Sequence, residues 1–214
     1  MSIQFDAINE IRSNAYSTAR LSIFHLKSYL VGVQTAQLIL QEKDASIVKF
    51  TDTFEKFILE KYGKSSSTFL SIFQASRNHA EATNLWLDEF CKYSQSYQNI
   101  GECNNAHKIS VKVLDVAGWL SLIESKPLMM ISSKDITHLR AFFDGVEFVG
   151  KYFGCLELKP SLFLFEKWLR AKKNPQYACS WDMLLVLSTG GNTVDAFSLF
   201  FSELHSFQMD KFQS

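Results

Sequence analysis

Proline is scarce in this chain of 214 residues: Pro127, Pro160 and Pro175 are its only three. A proline within a helix removes a backbone hydrogen bond and clashes with the preceding turn, so long stretches here are free to be helical. Pro160 and Pro175 bracket one expected helix over about 161–173. A charge excess is also missing, because the formal net charge is zero and the nearest basic run is Arg170–Lys173. Direct nucleic-acid binding usually demands a basic stripe, so that class is not expected. No apolar run reaches the ~18 residues of a membrane-spanning helix. The opening MSIQFDAINEIRSN carries acids early and lacks the apolar stretch of a signal peptide. A cytosolic location without membrane contact is the expectation. The four cysteines, Cys91, Cys103, Cys155 and Cys179, form no C-x-x-C. They read as free thiols rather than zinc ligands or a redox pair.

Catalytic signatures are missing too. No G-x-S-x-G or H-E-x-x-H occurs, and no histidine has another three or four residues away. Cys179-Ser180-Trp181-Asp182 is the most suggestive cluster, but the sequence places no base beside it. Ser188-Thr189-Gly190-Gly191-Asn192 is glycine-rich without the lysine of a phosphate cradle. It reads as a helix start, with Thr193 as N-cap and Asp195 in the first turn. No catalytic residue, bound metal or cofactor is expected.

What is present is helical periodicity. Phe50, Phe54, Phe57, Ile58 and Tyr62 share one helix face, as do Ala82, Leu85, Trp86, Phe90 and Tyr93. At that spacing aromatic residues belong to a core, and the adjacent Asp88-Glu89 reads as a solvated face. HKISVKVLDV at 107–116 is the best strand candidate, but it leads into helical-looking LDVAGWLSLIES, and helix is preferred there.

The chain also resembles itself. HLKSYLVGVQ at 25–34 aligns with HLRAFFDGVE at 138–147, FEKFI at 54–58 with FEKWL at 165–169, and EATNLWLDEFCKY at 81–93 with DAFSLFFSELHSF at 195–207. The separations are 113, 111 and 114 residues, in the same order. Between them STFLSIF at 67–73 corresponds loosely to SWDMLLV at 180–186, with Trp181 set against Phe69 and Asp182 against Leu70. These matches predict an all-α fold of two tandem pseudo-repeat helical bundles packed side by side, over 1–95 and 112–214, joined by a polar linker at 96–111. Gly32 and Gly145 recur inside helices, where glycine is costly, so a neighbouring backbone should pass close to them. His25 and His138 read as paired structural histidines rather than metal ligands.

Two segments, IESKPLMMISSKDITHLRAFFDGVEF at 123–148 and FEKWLRAKKN…SWDMLLVLSTGGNTVDAFSLFFSELHSF at 165–207, resemble small bacterial helical immunity proteins. The similarity is to the two-lobed proteins that neutralise EndoU-type nuclease toxins of contact-dependent systems. It covers the second stretch directly and the first through the internal match. It departs at Met129-Met130, where that pattern has an aromatic residue. The resemblance implies a non-enzymatic protein whose partner is a cognate toxin, a nuclease by preference. Such inhibitors often offer carboxylates to a basic cleft. Acids placed where the two stretches differ, Asp144, Glu147 and Asp182, are therefore the expected contact residues. The alternative is a helical enzyme or ligand-binding protein with its pocket between the repeats.

Overall fold

In the computed structural model, residues 3–13, 22–40, 45–63, 65, 67–98, 113–155, 157–175 and 178–213 are described. The chain is largely all-α. Its helices are α1 (Ile3–Ser13), α2 (Ile23–Ile39), α3 (Ala45–Tyr62), α4 (Thr68–Gln74), α5 (His79–Gln98), α6 (Ala117–Ser125), α7 (Pro127–Ile131), α8 (Ile136–Phe153), α9 (Leu162–Lys173), α10 (Trp181–Ser188) and α11 (Thr193–Gln213). Helix α5 runs into the segment expected to be linker, and most of that segment lies outside the described residues.

Two departures from the sequence reading are local. Val113–Asp115 is a short strand, β1, pairing in parallel with a second strand that the sequence reading missed, β2 (Glu157–Lys159). Leu114 lies at the centre of β1 and is buried, which ties the lead of α6 to the chain after α8. At α11 the cap is Asn192, whose Oδ1 accepts from the Val194 and Asp195 amides. Thr193 instead donates to Asp135 Oδ2 at 2.6 Å. Elsewhere short polar side chains start helices as their chemistry predicts. Ser22, Ser67, Asp135 and Ser161 each accept an amide from the first turn of the helix that follows.

The largest helix–helix contact joins α2 to α8. It is reciprocal. A methyl group on Gly32 would lie 2.0 Å from the Phe142 carbonyl oxygen, and one on Gly145 would lie 2.1 Å from the Tyr29 carbonyl oxygen. Tyr29 and Phe142 are themselves matched positions. The two recurrent glycines thus let two backbones touch.

Other matched positions make matched contacts. Glu89 and Glu203 are 2% and 4% exposed, so the solvated face expected at Glu89 is corrected. Lys61 reaches Glu89 at 2.7 Å, and its counterpart Lys172 reaches Glu203 at 2.5 Å, with Lys173 at 2.9 Å. Burial pushes both carboxyls up, but hydrogen bonds, from Lys61 and Tyr62 to Glu89 and from Lys172 and Lys173 to Glu203, outweigh it and hold each below the ordinary glutamate range. Phe54 packs on Trp86 and Tyr93, and Phe165 packs on their counterparts Phe200 and Phe207. The buried apolar residues of both stretches form one continuous cluster.

Candidate functional site

The α2–α8 contact carries a polar seam at its N-terminal end. The rings of His25 and His138 stack, 4.1 Å apart and 25° from parallel. Ser28 Oγ donates to a carbonyl, Ile131 O at 2.8 Å, so it accepts from His138 Nδ1–H at 2.9 Å. Thr137 Oγ1 donates to Asp135 Oδ1 at 2.6 Å, so it accepts from His25 Nε2–H at 2.8 Å. Ser22 Oγ then donates to His25 Nδ1 at 2.7 Å. His25 is paired at both ring nitrogens and His138 at Nδ1, each as a neutral ring. Burial lowers the pKa of each; for His138, with the charge of His25 added, it falls to about 4. The chain of groups links α2 to the start of α8. At this crossing the backbones touch, which closes that part of the boundary to a ligand.

The three expected contact residues fall in one region of the second stretch. Asp144 Oδ1 accepts from Arg140 Nε at 2.8 Å, and Asp182 Oδ1 lies 3.5 Å from Arg140 Nη1. The Arg140 guanidinium sits 5.8 Å from the centre of the Trp181 ring. One cation therefore serves two acids. Burial pushes the Asp144 carboxyl up to about 6, against the pull of Arg140. Glu147, one turn further along α8, faces Lys151 at 4.0 Å and lines a separate pocket.

That pocket, about 350 Å³, lies between α8, β2 and α9. Val146, Gly150, Cys155 and Leu162 contribute to its walls, and Glu147, Lys151, Glu157 and Phe163 supply its charged and aromatic lining. Phe163 is 78% exposed, an unusual position for a large ring. Sequence reasoning missed Glu157 and Phe163 because neither belongs to a matched block. Helical phase was the available signal for Phe163, which lies between the buried Leu162 and the outward side of α9.

The helix register also revises one correspondence. Ser67 and Ser180 both precede their helices, and the buried positions Thr68, Ser71 and Ile72 match Trp181, Leu184 and Leu185. Trp181 therefore stands where the first stretch has Thr68, and Asp182 stands where it has Phe69. Setting Trp181 against Phe69 and Asp182 against Leu70 was one residue out of step with the segments themselves.

Compared with known families, characterised proteins and solved structures, the chain matches none. No group of three or more potential metal ligands occurs among the described residues, and no single described helix is long and apolar enough to cross a membrane.

The raised pKa of Asp144 carries a sign that can be measured. A carboxyl whose folded pKa lies above its unfolded value of 3.8 destabilises the fold when ionised, and that penalty is relieved as pH falls through about 6. Its side chain is 44% exposed, so solvent screens most of the effect. Asp144→Asn is expected to raise the unfolding free energy at pH 7 by about 1 kcal/mol, with the gain shrinking by pH 5. Urea denaturation at the two pH values reads the difference.

Proposed function

We propose that this chain is a cytosolic binding protein that neutralises a cognate protein toxin, a nuclease by preference, by covering its active cleft. The observation that carries the reading is the face between α8, β2 and α9. There Phe163, largely exposed, stands beside an open pocket whose lining includes the carboxylates Glu147 and Glu157 with the single cation Lys151. An aromatic anchor beside an apolar recess, with charges around it, is the usual makeup of a protein docking face. Carboxylates there suit a basic, phosphate-binding partner and would speed its approach.

The resemblance of 123–148 and 165–207 to two-lobed immunity proteins points the same way.

The test is co-expression with the product of the adjacent upstream reading frame. That product alone should arrest growth, and this chain should restore growth and co-purify with it in fixed stoichiometry. Phe163→Ala is expected to weaken the complex at least tenfold without changing the melting curve, since truncating an interface anchor costs about 2 kcal/mol or more. Glu147→Lys should slow association and alter its salt dependence. A harmless upstream product, or a complex untouched by both substitutions, removes this reading.

A further inference from the structure

A second recess lies inside the first stretch, among α1, α2, α3, α4 and α5, and encloses about 150 Å³. Phe54, Phe69, Trp86 and Phe90 wall it, and of these Phe54, Trp86 and Phe90 are buried. Its lining also carries one cation and one anion, Lys27 and Glu55, and both are part-exposed. The rings therefore form the floor and the charges stand nearer the mouth. Neither charge has an ion pair among the described residues, and the two do not pair with each other. Burial, with Asp52 nearby, pushes the Glu55 carboxyl up, so that group is itself partly shielded from water.

The second stretch keeps the same two charges and pairs both. Arg140 stands for Lys27, and it is held by Asp144 at 2.8 Å and Asp182 at 3.5 Å. Glu166 stands for Glu55, and Arg170 donates to it at 2.9 Å. In the first stretch the places of Asp144, Asp182 and Arg170 are taken by Val31, Phe69 and Leu59. The space differs in the same way. Phe143, Trp181 and Phe200 pack with ring centres 5.1 to 6.1 Å apart. Their counterparts are Leu30, Thr68 and Trp86, so two of the three places hold a smaller side chain. The first stretch thus retains a cation and an anion, lacks the counter-charge of each, and leaves room where the second is filled. Charges drawn partly out of water without partners are costly, and a ligand bearing one charge of each sign would complete both pairs.

We propose that this recess binds a free α-amino acid with a compact apolar side chain, its carboxylate paired with Lys27, its ammonium with Glu55 and its side chain packed on the aromatic floor. A volume of this order holds a single ring. The zwitterion follows from the lining, which has one charge of each sign: a ligand with a single charge would leave Lys27 or Glu55 unpaired and facing it with nothing gained. Highly charged ligands are disfavoured for the same reason, since the recess offers no second cation or anion.

The test uses the full chain and three probes that share a phenylethyl group: phenylalanine, phenylpropanoate, which lacks the ammonium, and phenethylamine, which lacks the carboxylate. Calorimetry at neutral pH reads affinity. The indole resonances of the 15N-labelled protein locate the site, with Trp86→Phe assigning the Trp86 signal. Phenylalanine is expected to saturate, to shift the Trp86 indole signal, and to bind about fivefold or more tightly than either singly charged probe. Lys27→Met should remove its advantage over phenethylamine, and Glu55→Gln its advantage over phenylpropanoate. Leu30→Phe, which copies the residue at the matched place in the second stretch, should abolish binding of all three. Equal affinity of the three probes for the unaltered protein overturns the proposal, and so does the lack of saturation up to the solubility limit. A preference for phenylalanine that survives both charge substitutions overturns it as well. The first two outcomes need no variant, and none involves a partner protein, so this inference stands or falls apart from the toxin-neutralising role.

Discussion

Gly145→Ala lowers the unfolding free energy by roughly 3 kcal/mol or more, and Gly32→Ala does nearly the same. The obstacle is backbone on both sides. A methyl group at either position would lie 2.0 or 2.1 Å from a carbonyl oxygen inside the opposite helix, and neither helix can move aside without opening the contact along its length. Helix propensity works in the other direction, since alanine is favoured over glycine by about 1 kcal/mol, so a net loss isolates the steric term. Gly118 in α6 supplies the control, because a methyl group there meets nothing within 4 Å. Gly118→Ala should leave stability unchanged or raise it by about 0.5–1 kcal/mol. The double variant at 32 and 145 should cost less than the sum of its parts, because the first methyl already separates the helices. Denaturant melts of the four proteins read all of this. Equal melts for Gly118→Ala and Gly145→Ala would show that the helix crossing is soft.

Acid weakens the same crossing. The unfolded state takes up a proton at His138 near its ordinary 6.5, whereas burial and the neighbouring His25 hold the folded pKa at about 4. Between those values the unfolded chain binds more protons, so stability is complete above pH 6.5 and falls as the solution is acidified. The loss attributable to His138 is about 2 kcal/mol by pH 5 and about 3 kcal/mol by pH 4. His25 adds to it in the same direction, because its pKa is lowered too. Relief at Asp144 opposes it over part of the window, so the cleanest measurement is made in the Asp144→Asn background. Keeping the readings at or above pH 5 also avoids Glu89, Glu203 and Asp135, whose lowered pKa values weaken the fold only in stronger acid. His138→Gln should reduce the pH slope by about one proton while retaining a donor for Ser28. A slope that survives this change assigns the acid sensitivity elsewhere.

The parts of this molecule that could be read from the sequence are those where one residue type has one physical use. Glycine repeated inside two helices meant backbone contact, and Gly32 and Gly145 make it. Aromatic residues at helical spacing meant core, and Trp86, Phe90 and Phe165 are buried. Glu89 was misread because an acid beside an apolar stripe is ordinarily solvated. Lys61, which pairs with it, comes from another helix, although the recurrence of Lys61 with Glu89 and of Lys172 with Glu203 was visible. Strand β1 falls inside the best strand candidate, where helix was preferred, and β2 was beyond reach because three residues carry too little periodicity to stand out. Of the expected contact residues, Asp144 and Asp182 meet only through Arg140, a partnership across two helices that spacing along one helix does not encode. Phe163 and Glu157 went unnoticed because comparing the chain with itself highlights what was kept twice. The face proposed for docking has no reason to be kept twice.

The contact between α2 and α8 joins positions about 113 residues apart. At about 5–20 residues per second of synthesis, the surface of α2 waits on the order of ten seconds for its cover. For that interval Gly32 and the side chains around it present a bare, sticky strip to the cell. Completion of the fold is then timed by the ribosome rather than by any local step, and a chain cut short before α8 leaves that strip exposed to chaperones and proteases.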